Sequence, residues 1–236
     1  MKPRLSSIVL ALALATVPAW AADAFTDAVQ AAYVPYRAAL FRTNSKAQAE
    51  SEQAVAAARA QFRAIGQRYA AAPPVPYDRD PEFAATLKKV DEVLAKAEAE
   101  VRDQQLAKAH ETLEEVRDLL GELRRRSGVI VYSDHMNAYH EVMEHMLEDA
   151  PKLIGQSGGM LTLAGQVGAL DYLARRLKSE APAALARDAE FGPLVEAVLV
   201  SVKNLREAVV QQDAAAVRDA LGKVKSPYSG LFLKFG

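Results

Sequence analysis

The sequence predicts an all-α protein made of duplicated antiparallel four-helix-bundle-like units, about eight helices in all. Three observations lead there. Apolar residues return with helical period almost throughout, and turn-forming residues interrupt that period at regular places. A set of residues also reappears 108 positions further on. Strand-like alternation is confined to Val129-Ile130-Val131-Tyr132, which is short and reads as a packed connector.

A first helix is expected over 25–41, ending at Thr43-Asn44-Ser45, and an alanine-rich second over 46–71. Pro73-Pro74-Val75-Pro76 stops the second, because proline cannot continue the hydrogen-bond ladder. Asp80-Pro81 reads as N-cap and first-turn proline of a third helix. A break near Asp103 leads to a fourth over 105–126. Arg124, Arg125 and Arg126 sit on its negative end, with Gly128 as C-cap. In the second half Ser133 or Asp134 caps a fifth helix to about 149, and Pro151 with Gly158-Gly159 punctuates. A sixth is expected to about 179, a seventh over 188–210 and an eighth from 213 onward.

The repeat is legible in residues. Asp80-Pro81-Glu82-Phe83 returns as Asp188-Ala189-Glu190-Phe191, and Val90, Val101, Leu113 and Val116 return as Val198, Val209, Leu221 and Val224. Ala32-Tyr33 matches Ala138-Tyr139 at an offset of 106. The expected units are residues 22–128 and 129–236, each the size of a four-helix bundle.

The first residues read as a secretory leader. Lys2 and Arg4 precede an apolar run over 8–17, and Ala19-Trp20-Ala21 supplies the cleavage signature, so residues 1–21 are expected to be removed and the chain to be periplasmic. No later segment approaches the roughly 18–20 apolar residues of a transmembrane helix. Losing Lys2 and Arg4 takes the formal charge from −1 to −3. A mildly acidic surface without a basic stripe argues against nucleic acid as partner. The absence of cysteine rules out disulfides, thiolate metal sites and covalently attached c-type haem.

In unit length and expected address the chain resembles the cytochrome c′ and soluble b-type cytochrome bundles. Its ending, Tyr228-Ser229-Gly230-Leu231-Phe232-Leu233-Lys234-Phe235-Gly236, is similar to the tails of uncharacterised proteobacterial periplasmic helical-bundle proteins. The c′ chemistry does not carry over, since Cys-x-x-Cys-His is missing. A b-type site would need only noncovalent axial ligands.

The residues with coordination chemistry are concentrated. His110, His135, His140 and His145 are all the histidines, and the last three of them share the twelve residues 135–146 with Met136, Met143 and Met146. On a helix Met136, His140 and Met143 share one stripe, while His135, Tyr139 and Met146 lie on an adjacent one. His145 points to the polar side with Glu141 and Glu148. Glu144 follows His140 by one turn. His110-Glu111-Thr112-Leu113-Glu114 and His140-Glu141-Val142-Met143-Glu144 share the pattern His-Glu-x-(Leu/Met)-Glu, whose outer residues face the same way. The short connector makes their helices expected antiparallel neighbours.

The expected site is therefore a transition-metal site, copper ahead of iron, drawn from His140, Met136, Met143, Glu144, His135, His110 and Glu114. Thioethers select reduced copper and imidazoles accept both states. The expected role is a metal carrier or buffer, with an envelope protein as a further partner. Noncovalent haem b is an alternative cofactor. A ligand-free interaction module is another alternative, docking through the tyrosine-rich first helix and an exposed Leu231-Phe232-Leu233 tail. Methionines at helical spacing also serve as core filler. No activated nucleophile is paired with an oriented base, so an enzyme finds little support.

Overall fold

Helices form here because apolar residues return every three or four positions and give each segment a stripe to bury. The computed structural model describes residues 24–236, so the leader read into residues 1–21 lies outside the described residues. Helix α3 (Phe83–Arg102) buries Phe83, Leu87, Val90, Leu94, Ala97 and Val101. Helix α4 (Leu106–Arg126) buries Ala109, Leu113, Val116, Leu120 and Leu123. With α1 (Ala24–Asn44) and α2 (Gln48–Tyr69) they form a four-helix set. Each helix packs on its chain neighbours, and α1 closes on α4. Phe25 seals one end, its ring centroid 4.6 Å from that of Tyr77 and 4.9 Å from that of Phe83.

The second set comprises α5 (Tyr132–Leu153), α6 (Gly159–Ser179), α8 (Phe191–Val210), α9 (Ala214–Leu221) and α10 (Lys225–Phe235), with one turn of helix, α7 (Ala183–Ala186), before α8. Packing runs α5 on α6, α6 on α8, and α8 on both α9 and α10. Among the described residues the chain is all-helical with no strand, and residues 129–131 are irregular connector.

Backbone features return at the sequence offset. Both ends of α8 lie 108 residues beyond those of α3. Gln104 and Gln212 adopt left-handed φ of 60° and 55° just before α4 and α9. Asp80 and Asp188 each accept the N–H of the residue two further on. Tyr69 donates its hydroxyl to the Ala24 carbonyl, while Tyr132 donates to that of Leu177, the equivalent pair bridged from the opposite side.

Four expectations are corrected. The third helix begins at Phe83, three residues after Asp80, because the Asp80 carboxylate is taken by the Glu82 N–H and the Arg126 guanidinium instead of capping a first turn. The fifth begins at Tyr132, and Asp134 caps it from inside by accepting the Val131 N–H. The eighth is broken in two. Pro227 has no N–H to continue a helix through residue 223 but fits the first turn of a new one, so α10 restarts after Gly222-Lys223-Val224. Leu231 and Phe232 on α10 are buried core residues, not an exposed docking tail.

Helices α4 and α5 are held at their junction by a bidentate ion pair. Arg124, almost wholly buried, donates to both oxygens of Asp134 at 2.9 and 3.0 Å and lies over the Tyr33 ring. Removing one partner strands a buried charge, whereas replacing both leaves none. Asp134→Asn is expected to lower unfolding free energy by about 3 kcal/mol. The double variant Arg124→Met with Asp134→Leu should recover most of it. Urea unfolding of both proteins checks this, and an Asp134→Asn protein as stable as the parent would contradict it.

Candidate functional site

Helix α4 carries His110, Glu114 and Arg117 at spacings of four and three, which puts them on one face. His110 reaches back to the last turn of α1. Its Nδ1 is 3.1 Å from the Leu40 carbonyl oxygen and 3.3 Å from the Thr43 hydroxyl. A carbonyl only accepts, so in the neutral ring Nδ1 carries the proton and Nε2 keeps a lone pair. Burial pushes the His110 pKa below its ordinary value, against the pull of Glu114, and keeps the ring neutral near pH 7.

Glu114 is where three groups meet. Its Oε1 lies 3.3 Å from His140 Nε2, 3.8 Å from His110 Nε2 and 3.1 Å from the Arg117 guanidinium. Burial alone would raise its pKa. The hydrogen bond from His140 and the charges of Arg117, His140 and His110 outweigh that and hold it at about 2. His140, on α5, has a carboxylate at each ring nitrogen, with Glu144 Oε1 3.9 Å from Nδ1. Its ring stacks on Tyr228 of α10 with centroids 5.4 Å apart. Tyr228 is fixed by donating to the Met136 carbonyl at 3.2 Å and by stacking on Tyr139. Lys225 of α10 pairs with Glu144 at 2.8 Å.

Two spaces adjoin this cluster. An open cleft of about 900 Å³ separates α4 from α5, walled by charged side chains such as Asp118, Glu122, Arg125 and Glu141. On the other side a small cavity of about 50 Å³ lies between the ends of α1, α4 and α10. Glu114, Arg117 and His140 line both, so they form the partition between them. The expectation that α4 and α5 pack as antiparallel neighbours is thereby corrected. Beyond the Arg124–Asp134 junction they diverge, and side chains bridge the gap.

Of the residues singled out in the sequence, the structure brings together His110, Glu114, His140 and Glu144. Met136 and Met143 flank His140 by one turn on either side but are fully buried in the core, as is Met146. His135 lies at the start of α5 beside Tyr132, lining the cleft. Burial and the nearby Arg176 lower its pKa. His145 is exposed on the cleft wall. Spacing did not reveal Lys225 and Tyr228, more than eighty residues beyond His140 in the chain; only the packing of α10 brings them in. Among the described residues, no three of His, Asp and Glu stand close enough to hold a metal without side-chain movement. No protein-family model, curated protein or solved structure matches the chain.

His110 and Glu114 both bind protons less readily when folded than when unfolded, so stability is present at neutral pH and declines on acidification. The first loss begins as pH falls below the unfolded imidazole value of 6.5, and the second runs from 4.5 towards about 2. The urea midpoint should fall steadily from pH 7.5 to pH 3, and Glu114→Gln should flatten the part below pH 4.5. A midpoint independent of pH over that range would contradict the assignment.

Proposed function

We propose that this is a periplasmic carrier or buffer of a divalent first-row transition metal, copper(II) ahead of iron(II), bound by His110 Nε2, His140 Nε2 and Glu114. The reading rests chiefly on one observation. A His110 lone pair, assigned by the Leu40 carbonyl, faces a carboxylate oxygen that His140 Nε2 also faces. A cation placed between them would be bound by the imidazole lone pair and the carboxylate oxygen together, in exchange for the Arg117 and His140 contacts that oxygen now has. In the tetragonal geometry that suits copper(II), neighbouring ligands at about 2.0–2.2 Å stand roughly 2.8–3.1 Å apart. The His140–Glu114 separation of 3.3 Å and the His110–Glu114 separation of 3.8 Å must both shorten for an ion to be held.

The outer contacts support the same reading. Metal-binding imidazoles usually give their other N–H to a backbone carbonyl or carboxylate. Leu40 serves His110 in this way, whereas Glu144 Oε1, 3.9 Å from His140 Nδ1, would have to move closer to do the same. With the thioethers sealed in the core, the donor set is nitrogen and oxygen, which favours copper(II) by the usual divalent order and also accommodates iron(II). Arg117 on the ligand oxygen weakens affinity by charge repulsion, which suits exchange better than permanent retention. The leader pattern of residues 1–21 supports the periplasmic address. Haem is served less well, because the wide cleft beside His140 has charged walls where a porphyrin face needs apolar cover.

Elemental analysis and an absorption spectrum of the mature protein, followed by copper(II) titration, test this. About one ion per chain is expected, with a melting temperature that rises with added copper. His140→Ala should abolish the effect, and Glu144→Gln should weaken binding about tenfold. A metal-free protein whose melting temperature ignores copper and iron would sink the proposal, as would unchanged affinity in His140→Ala. A Soret band would select haem instead.

A further inference from the structure

The open cleft lies between faces of α4 and α5 that the chain itself does not cover. By the offset of 108 its counterpart is the contact of α1 with α10, which is closed. Six carboxylates and three guanidiniums line the cleft. Four of the carboxylates have a cation at ion-pair distance: Glu114 has Arg117, Glu122 has Arg125, Asp134 has Arg124 and Glu144 has Lys225. The remaining guanidinium, Arg176, is paired with Glu180. Among the described residues Asp118 and Glu141 have no such cation. Burial raises the Asp118 pKa, and the charges of Glu114 and Glu141 add to that against the pull of Arg117. Counted with neutral imidazoles, the cleft is left with two unpaired negative charges, one from each wall.

Two other features of the walls are unmet. Ile130, at the connector end of the cleft, is 74% exposed and stands with Val129 and Ala138 as its apolar lining. On the α5 wall, between that end and Glu141, the buried Oδ1 of Asn137 has no donor among the described residues. An occupant that meets all three needs positive charge, an apolar side chain and an N–H to donate. A basic peptide segment has them, whereas an aliphatic polyamine has no apolar side chain to set on Ile130. A second copy of this acidic chain, or a phosphate-bearing ligand, brings charge of the wrong sign. The α4 wall from Glu114 to Arg125 is about 16 Å long at the helical rise. That length matches about five residues of extended chain, and the cleft volume of about 900 Å³ admits them.

We infer that the cleft docks a short extended basic segment of a partner protein, with a Lys or Arg side chain between Asp118 and Glu141 and an aliphatic side chain against Ile130. None of these three residues is a ligand in the metal reading above, so docking does not depend on an ion.

Heteronuclear NMR titration of the metal-free mature protein at pH 8 with a blocked peptide, Leu-Ala-Lys-Ala-Lys, tests this. The control peptides carry glutamine for both lysines, or alanine for the leucine. Shifts are expected on the cleft walls, with the lysine peptide bound at least about fivefold tighter than the glutamine one at low salt. Most of that preference should vanish at about 0.5 M salt. Asp118→Asn with Glu141→Gln changes two exposed side chains, so the melting temperature should hold while the lysine preference falls below about twofold. Ile130→Ser should remove the advantage of leucine over alanine while leaving the lysine preference in place. A glutamine peptide bound as tightly as the lysine one overturns the inference. So does a full lysine preference in the double variant, or shifts that lie outside the cleft. Spermidine bound as tightly as the peptide overturns the peptide segment in favour of a free polyamine.

Discussion

A carboxylate half removed from water has to be surrounded by positive charge or hydrogen-bond donors, and Glu114 meets that requirement from helices of both halves. His110 and Arg117 come from its own helix, and His140 comes from α5. The two imidazoles are then held by something else. His110 is tied to the end of α1, His140 is stacked under Tyr228 of α10, and Tyr228 is bonded back to α5. The carboxylate at the gap between α4 and α5 thus links α1, α4, α5 and α10. Those are the first and last helices of each half.

The repeat explains why the meeting is lopsided. By the offset of 108, α1 corresponds to α5 and α4 to α9 with α10, so the contact of α1 with α10 has its counterpart in α5 with α4. One contact is closed and the other open. Helix α4 is continuous through Glu114, whereas the equivalent position is Gly222, where the chain breaks before Pro227 restarts it. The break lets α10 lie against α1, with the Arg37 guanidinium donating to the Lys234 carbonyl at 3.3 Å. The unbroken α4 diverges from α5 beyond the Arg124–Asp134 junction, and the cleft lies between them. The copy that carries Gly222 and Pro227 is the copy whose helix breaks, and it forms the closed side, while the unbroken copy faces the open one.

Much of this was legible in the sequence because helix periodicity and punctuation are local. The helix ends near Asp103 and Gly128 follow from residues within a turn of them, and the His-Glu-x-x-Glu spacing places His140 over Glu144 and His110 over Glu114 without reference to tertiary structure. The rest is set by contacts distant in the chain. A helical stripe shows that Met136, His140 and Met143 neighbour one another. It does not show that the stripe's edge coincides with the edge of the core, which puts both sulfurs inside and leaves the imidazole at the boundary. A five-residue connector permits either a packed hairpin or a splayed pair. The buried Arg124–Asp134 anchor and the charges facing the gap decide for the splay. Lys225 and Tyr228 enter through the broken helix, and apolar spacing gave no sign of that break.

The cations beside Glu114 and Glu144 bear on what kind of metal protein this chain could be. A structural metal site supplies folding energy, and its ligands repel one another or lie unpaired until the ion arrives. Here each carboxylate already has a cation and the core is continuous across both halves, so folding does not wait for an ion. Under the proposed metal reading, binding the ion would mean exchanging Arg117 for it at one oxygen, a trade between two positive charges whose net free energy is smaller than that of filling an empty anionic cage. Small net free energy, with ligands that must still close in on the ion, would give reversible loading. A protein that carries or buffers a metal needs that property, whereas one that merely uses a metal to stay folded does not.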